Sequence, residues 1–109
     1  MTATNAEQGA EVVDNPDAHR YEARDADGTV LGFAQYQRTE ELVVFTHTEV
    51  DPSQEGKGVG SLLVRGALDD VRGSGLRVLP LCPFVKSYIG RHREYVDLVY
   101  GAPPSRVTD

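Results

Sequence analysis

Nowhere does this sequence hold an apolar run close to the roughly 20 residues a membrane-crossing helix needs, so no membrane partner is expected. The first stretch, MTATNAEQGAEVVDNPDAH, has neither a basic start nor an apolar segment, so it is not read as a signal peptide and the expected location is cytoplasmic. Cysteine is nearly absent. With Cys82 alone, no intrachain disulfide or Cys-rich zinc site can form; a reducing compartment fits, and no metal is expected. Basic residues are also scarce: 11 Lys and Arg against 17 Asp and Glu give a net charge of −6. Four of those charges (Glu7, Glu11, Asp14, Asp17) fall in residues 1–18, leaving about −2 for residues 19–109. No basic surface for nucleic acid is expected, whereas a cationic amine is permitted.

What is present fits one domain of 109 residues with a single core. Residues 1–18 are polar, acidic and without period, which predicts a disordered tail; residues 102–109, with Pro103-Pro104, predict another. Between them, residues 19–101 read as one domain. Residues 19–26 predict a strand, Asp27-Gly28 a turn, Val30–Arg38 a second strand and Glu40-Glu41 the next turn. Leu42–Val50 (LVVFTHTEV), rich in β-branched and aromatic residues, is the strongest strand, and its apolar start suggests burial on both faces. After Asp51-Pro52 come Gly56, Gly58 and Gly60. An amphipathic helix follows, with Val59, Leu62, Leu63, Gly66, Ala67 and Val71 on one side and Gly73-Ser74-Gly75 as its stop. Residues 76–82 predict a fourth strand. Pro83 opens a second helix with Phe84, Val85, Tyr88, Ile89 and His92 on one face, and residues 94–100 predict a last short helix. The order β-β-β-α-β-α, with a crossover of about 25 residues, gives an α/β fold. Its sheet is mostly antiparallel, with helices packed on it.

The segment Glu55-Gly56-Lys57-Gly58-Val59-Gly60-Ser61 leaves a strand and enters a helix. Glycines let backbone approach a ligand, and the first N–H groups of a helix lack internal partners. Together they make a nest of donors at the positive end of the helix dipole, suited to a diphosphate. A plain glycine-rich connection is the alternative. The P-loop pattern Gly-x-x-x-x-Gly-Lys-Ser/Thr is absent. So is the Rossmann pattern, because the spacing here is Gly-x-Gly-x-Gly after an antiparallel meander.

This loop resembles the signature of the GNAT N-acetyltransferase superfamily, Arg/Gln-x-x-Gly-x-Gly/Ala, at the start of the helix after the central strand. Glu55 stands where the signature has Arg or Gln; that removes a side-chain contribution and spares the backbone donors. With His47-Thr48-Glu49-Val50 before it, and Pro80-Leu81-Cys82-Pro83-Phe84-Val85, Tyr88-Ile89, His92 and Glu94-Tyr95 after it, the chain resembles the small GNAT-like subfamily of about 100 residues. The resemblance covers residues 19–99. It implies acetyl-CoA as co-substrate, with pantetheine along the backbone of Glu49, Val50 and Asp51. The pyrophosphate would lie on Glu55, Gly56, Lys57, Gly58, Val59, Gly60 and Ser61. It also implies an amine acceptor, either a small molecule or a protein lysine.

Acetyl transfer needs a base for the amine, stabilisation of the thioester oxygen and a proton for the leaving thiolate. Glu49, at the end of the central strand, is a candidate base or a solvated carboxylate. His47 shares its face and is a candidate base or a fixed strand residue. Cys82, before a helix start, is a candidate nucleophile that takes the acetyl group, or a small buried hydrophobe. Tyr88 is a candidate acid for the thiolate or a packing residue, and Tyr95 a second candidate. Lys57 and the cluster Arg91, His92, Arg93 are candidate phosphate contacts or solvated charges. The hairpin at Asp27-Gly28 leaves no room for the acceptor helices that GNAT enzymes insert between their first strands. A non-catalytic acyl-CoA-binding or sensing module is therefore the competing function. A monomer or weak dimer is expected.

Overall fold

Short turns order the strands. At Gly28 (φ 87°) the chain reverses, and the Asp25 carboxylate accepts from the N–H of Asp27 and Thr29, closing the hairpin with no insertion. The computed structural model describes residues 3–5 and 10–101. Its strands are β1 (Ala3–Asn5), β2 (Ala10–Asn15), β3 (Arg20–Asp25), β4 (Val30–Arg38), β5 (Leu42–Val50) and β6 (Arg77–Pro80). Its helices are α1 (Val59–Ser74) and α2 (Pro83–Arg91), with 3₁₀ turns at Pro16–Ala18, Pro52–Gln54 and Arg93–Leu98. The six strands make one sheet in chain order. All neighbours are antiparallel except β5 and β6, which run parallel because α1 crosses between them. α1 buries the stripe expected of it and ends at Gly75 (φ 77°). The expected α/β architecture is present, with two further strands at its N-terminal edge.

Those strands correct the expected tail. Ala10 and Val12 are buried and Glu11 between them is exposed, so β2 alternates as a half-buried strand does. Val12 fills a notch in α1: a Cβ on Gly66 would lie 2.8 Å from Val12. One of the acidic residues that suggested disorder has a buried partner: Asp14 accepts from the Tyr36 hydroxyl (2.6 Å). The expected tail at residues 102–109 lies outside the described residues.

The sheet has two unlike faces. Tyr21 reaches Asp70 of α1 through its hydroxyl (2.7 Å), so its face is the helix side. Residues directly opposite across a ladder share a face. Tyr21 pairs with Ala34 and Ala34 with Thr48, which puts all three on the helix side. Glu22 pairs with Phe33 and Phe33 with Glu49, which puts these on the other. α2 and the turn after it stay on the helix side. Phe84 packs on Gly60, the Tyr95 hydroxyl donates to Asp69, and Arg72 meets Asp97, all at α1. Among the described residues no helix covers the second face. The expectation that β5 is buried on both faces is therefore corrected: Val43 and Phe45 are buried, and Leu42 and Val44 only half-buried.

On that open face Glu22 is 2% exposed and carries a charge. Burial raises its pKa, but bonds from Arg20, Arg24 and Asn15 outweigh this and hold it below the ordinary carboxylate value. A pKa depressed by folding adds stability above the unfolded value, and that stability is lost as pH falls through the folded one. Glu22→Gln is expected to cost about 1–3 kcal/mol at pH 7. In melts taken below pH 4.5 the gap to the wild type should narrow. A gap that stays constant down the acid limb would refute this account of Glu22.

Candidate functional site

The site is built where two strands part. β5 and β6 pair from Leu42↔Arg77 to Phe45↔Pro80 and no further. Pro80 and Pro83 bracket the exit. The N–H groups of Leu81 and Cys82 both turn back to the Phe45 carbonyl (3.0 and 2.9 Å), and Pro83 then starts α2. β5 continues to Val50, so its far half has no neighbour on that side among the described residues.

A bulge decides what this half presents. The β4–β5 register shifts between Gln35 and Tyr36, which face His47 and Phe45, so Thr46 is an extra residue; its hydroxyl donates to the Gln35 carbonyl (3.3 Å). Beyond it, the Asp51 N–H donates to the Leu31 carbonyl at 2.8 Å. Alternation then turns the main-chain groups of Glu49 towards β4 and those of Thr48 and Val50 into the gap. Of the residues expected along the arm, Val50 turns its main chain into the gap, Glu49 points to β4 and the Asp51 N–H is committed to Leu31; Thr48, outside that expectation, also faces the gap.

The glycine loop follows. Asp51 accepts from the N–H and hydroxyl of Ser53 (2.9 and 2.7 Å), bonds that lower its pKa and hold the turn into the loop. Gly56 and Gly58 both have φ 79°, a region other residues rarely adopt. Gly58 is the N-cap of α1 and offers no side-chain cap; the first helical bond runs from Leu62 N–H to Gly58 O (3.0 Å). The N–H groups of Val59, Gly60 and Ser61 thus lie in the first turn, where no intrahelical partner exists. A Cβ at Gly56 would meet nothing within 4 Å, so the loop stands open on that side. Gly60 has another reason to be glycine: a Cβ there would lie 2.7 Å from the Phe84 ring. Glu55, Lys57 and Ser61 are exposed.

The four candidate catalytic side chains divide between the faces. His47 and Glu49 share the open face, and His47 Nε2 meets Glu49 Oε2 at 2.7 Å with the side chains 53% and 61% exposed. Cys82 is on the helix side at 4% exposure, and its thiol donates to the Thr48 hydroxyl at 3.3 Å. Tyr88 is buried in α2, stacked on His92 with ring centroids 4.0 Å apart; burial raises its phenol pKa. Tyr95 is also buried, its hydroxyl on Asp69. The basic cluster does not act as a unit: Arg91 donates to Ser87, His92 stacks on Tyr88, and Arg93 borders a hollow with Asp69, Arg72 and Glu94. The structure therefore joins His47 to Glu49 and Cys82 to Thr48, and separates the two pairs by the thickness of the sheet. Sequence reading also missed Arg20 and Phe33, beside His47 on the open face; the guanidinium lies 4.5 Å from the Phe33 ring centroid and the Phe33 and His47 rings are 6.2 Å apart.

A split between parallel strands with a glycine-capped helix start beside it is the arrangement of the GNAT fold class. The model of the GCN5-related N-acetyl-transferase family matches residues 20–98, and the chain belongs to that family. It is 36% identical over 74 residues to the streptothricin acetyltransferase of Streptomyces lavendulae, covering 66% of this chain; it spans only 39% of that relative's length. The solution NMR structure of a GCN5-like protein from Staphylococcus aureus superposes with a TM-score of 0.64. That match has 20% identity and covers 93% of this chain and 98% of the other, and it bears on the fold alone.

Proposed function

We propose that the protein transfers an acetyl group from acetyl-CoA to an amine, directly, with the His47–Glu49 pair as the base. The observation that carries this is the 2.7 Å bond between His47 Nε2 and Glu49 Oε2, at the open end of the strand whose other edge lines the gap. With its proton on Nε2, His47 keeps Nδ1 as an acceptor, and Glu49 orients the ring and balances the charge it gains.

The described residues fit the co-substrate. The uncapped start of α1, the open space at Gly56 and the gap-facing main chain of Thr48 and Val50 suit a diphosphate followed by an amide-bearing arm. Acetyl-CoA supplies an activated acyl group with a thiolate leaving group. His47 takes the amine proton on the open face. Tyr88 of α2 is the candidate proton source for the leaving thiolate. One specific observation favours a second route, in which Cys82 takes the acetyl group first: the thiol sits at the N-cap of α2. Among the described residues its hydrogen-bond partner is the Thr48 hydroxyl and not a base, which favours direct transfer.

Thiol release from acetyl-CoA, with and without a panel of primary amines, tests the reading. Amine-dependent release with a matching acetylated product is expected. Binding of acetyl-CoA with no consumption under any amine would instead support a sensing module.

A further inference from the structure

Beside Glu49 the open face holds a groove of about 280 Å³ of which the steps above use Glu49 alone. Leu31 and Phe33 of β4 form its floor, and Glu49, Asp51 and Arg20 border it. Its charges are separated. Glu49 and Asp51 are two apart on the β5 side, whereas Arg20 comes from β3, on the far side of β4. Strands two places apart are about 10 Å apart, and the Phe33 ring stands between. Arg20 is fixed in place: its Nε donates to the buried Glu22 carboxylate at 2.7 Å and its plane lies over Phe33. Among the described residues Glu22 takes only that nitrogen, which leaves the terminal NH₂ groups of the fork as donors for a ligand.

Resting on the acetyl-transfer reading, we propose that this groove is the acceptor subsite and selects a bipolar amine. The amine end lies at Glu49 and Asp51, an apolar or flat body lies on Leu31 and Phe33, and an anionic group such as a carboxylate meets Arg20. A second cation at the far end would face Arg20, so diamines and polyamines are disfavoured. The tight Asp25–Thr29 turn carries no insertion that could cover the groove, so among the described residues nothing must be displaced to admit a small molecule.

Three amines of matched length separate the possibilities: δ-aminovalerate, pentylamine and cadaverine. With wild-type protein and saturating acetyl-CoA, kcat/KM is expected to fall in that order, by roughly three- to ten-fold per step. High salt should compress the series, because the selecting charge is partly exposed. In Arg20→Met the advantage of δ-aminovalerate over pentylamine should disappear; Arg20→Lys should keep most of it. If cadaverine is preferred, or if the order survives Arg20→Met, the subsite is wrong. If none of the three is turned over, amide shifts at residues 31–33 and 49–51 still report binding. Absence of shifts with all three amines, while CoA still binds, overturns the subsite alone. Absence of CoA binding overturns the acyl-CoA reading as well.

Discussion

In Gly56→Asp, CoA no longer raises the melting temperature. In the wild type a ligand held at 100 times its dissociation constant stabilises the native state by about 2.7 kcal/mol, worth roughly 10 °C or more for a domain of this size. The substitution sets a carboxylate in the open space beside the uncapped start of α1. Two anions would then compete for one set of donors. Asp is among the residues that best tolerate φ 79°, so the strain it adds is modest. Gly28→Asp supplies the control, being equally positive in φ (87°) and in a turn away from the loop. Scanning calorimetry with and without CoA reads both variants. A normal CoA shift in Gly56→Asp, or an equal loss in Gly28→Asp, would remove the loop from the binding site.

Glu49→Gln lowers the rate of acetyl transfer by about 10²–10⁴-fold, the usual worth of a positioned base, with CoA binding kept. The amide still bonds His47 but cannot balance the charge the ring acquires. His47→Ala falls by a similar factor, and the double variant by little more, because the two act as one unit. Cys82→Ala is expected to retain most of the activity, since its thiol touches Thr48 and not the base pair. Steady-state kinetics on one verified amine compares all four. A dead Cys82→Ala enzyme with an active Glu49→Gln enzyme would reverse the assignment and favour a thioester on Cys82.

Much of the architecture was legible because its signals are local. Val30–Arg38 and Leu42–Val50 were both expected as strands from apolar and β-branched residues between turn signals. α1 showed itself through helical spacing. β2 was missed because six residues with two acids give little apolar signal. What orders it is remote: Gly66 on α1 and Tyr36 on β4, which no local window contains. The glycine loop was legible as a ligand cradle, but the particular duty of Gly60 was not, since Phe84 lies beyond an entire helix and strand.

The division of the catalytic candidates was hidden for a sharper reason. Counting by twos from buried Phe45 would place His47 and Glu49 on the helix side. The extra residue at Thr46 reverses that parity, sending both to the open face and turning Thr48 towards Cys82. Sequence alone shows His47 and Glu49 as face-mates, which they are. It cannot show which face, because a bulge is a property of two strands and not of one.

The alternation of β4 between the two faces also bears on how such a protein diversifies. Gly32, Ala34 and Tyr36 are buried, while Phe33 and Gln35 face the uncovered side. Two independent requirements are thus written into one strand in alternate letters. Drift at the odd positions can reshape what lies on the sheet without disturbing what holds it together, and drift at the even positions is checked by folding. On the proposed subsite, a single replacement at Phe33 would therefore change which acceptor the groove takes without touching the buried residues on either side of it.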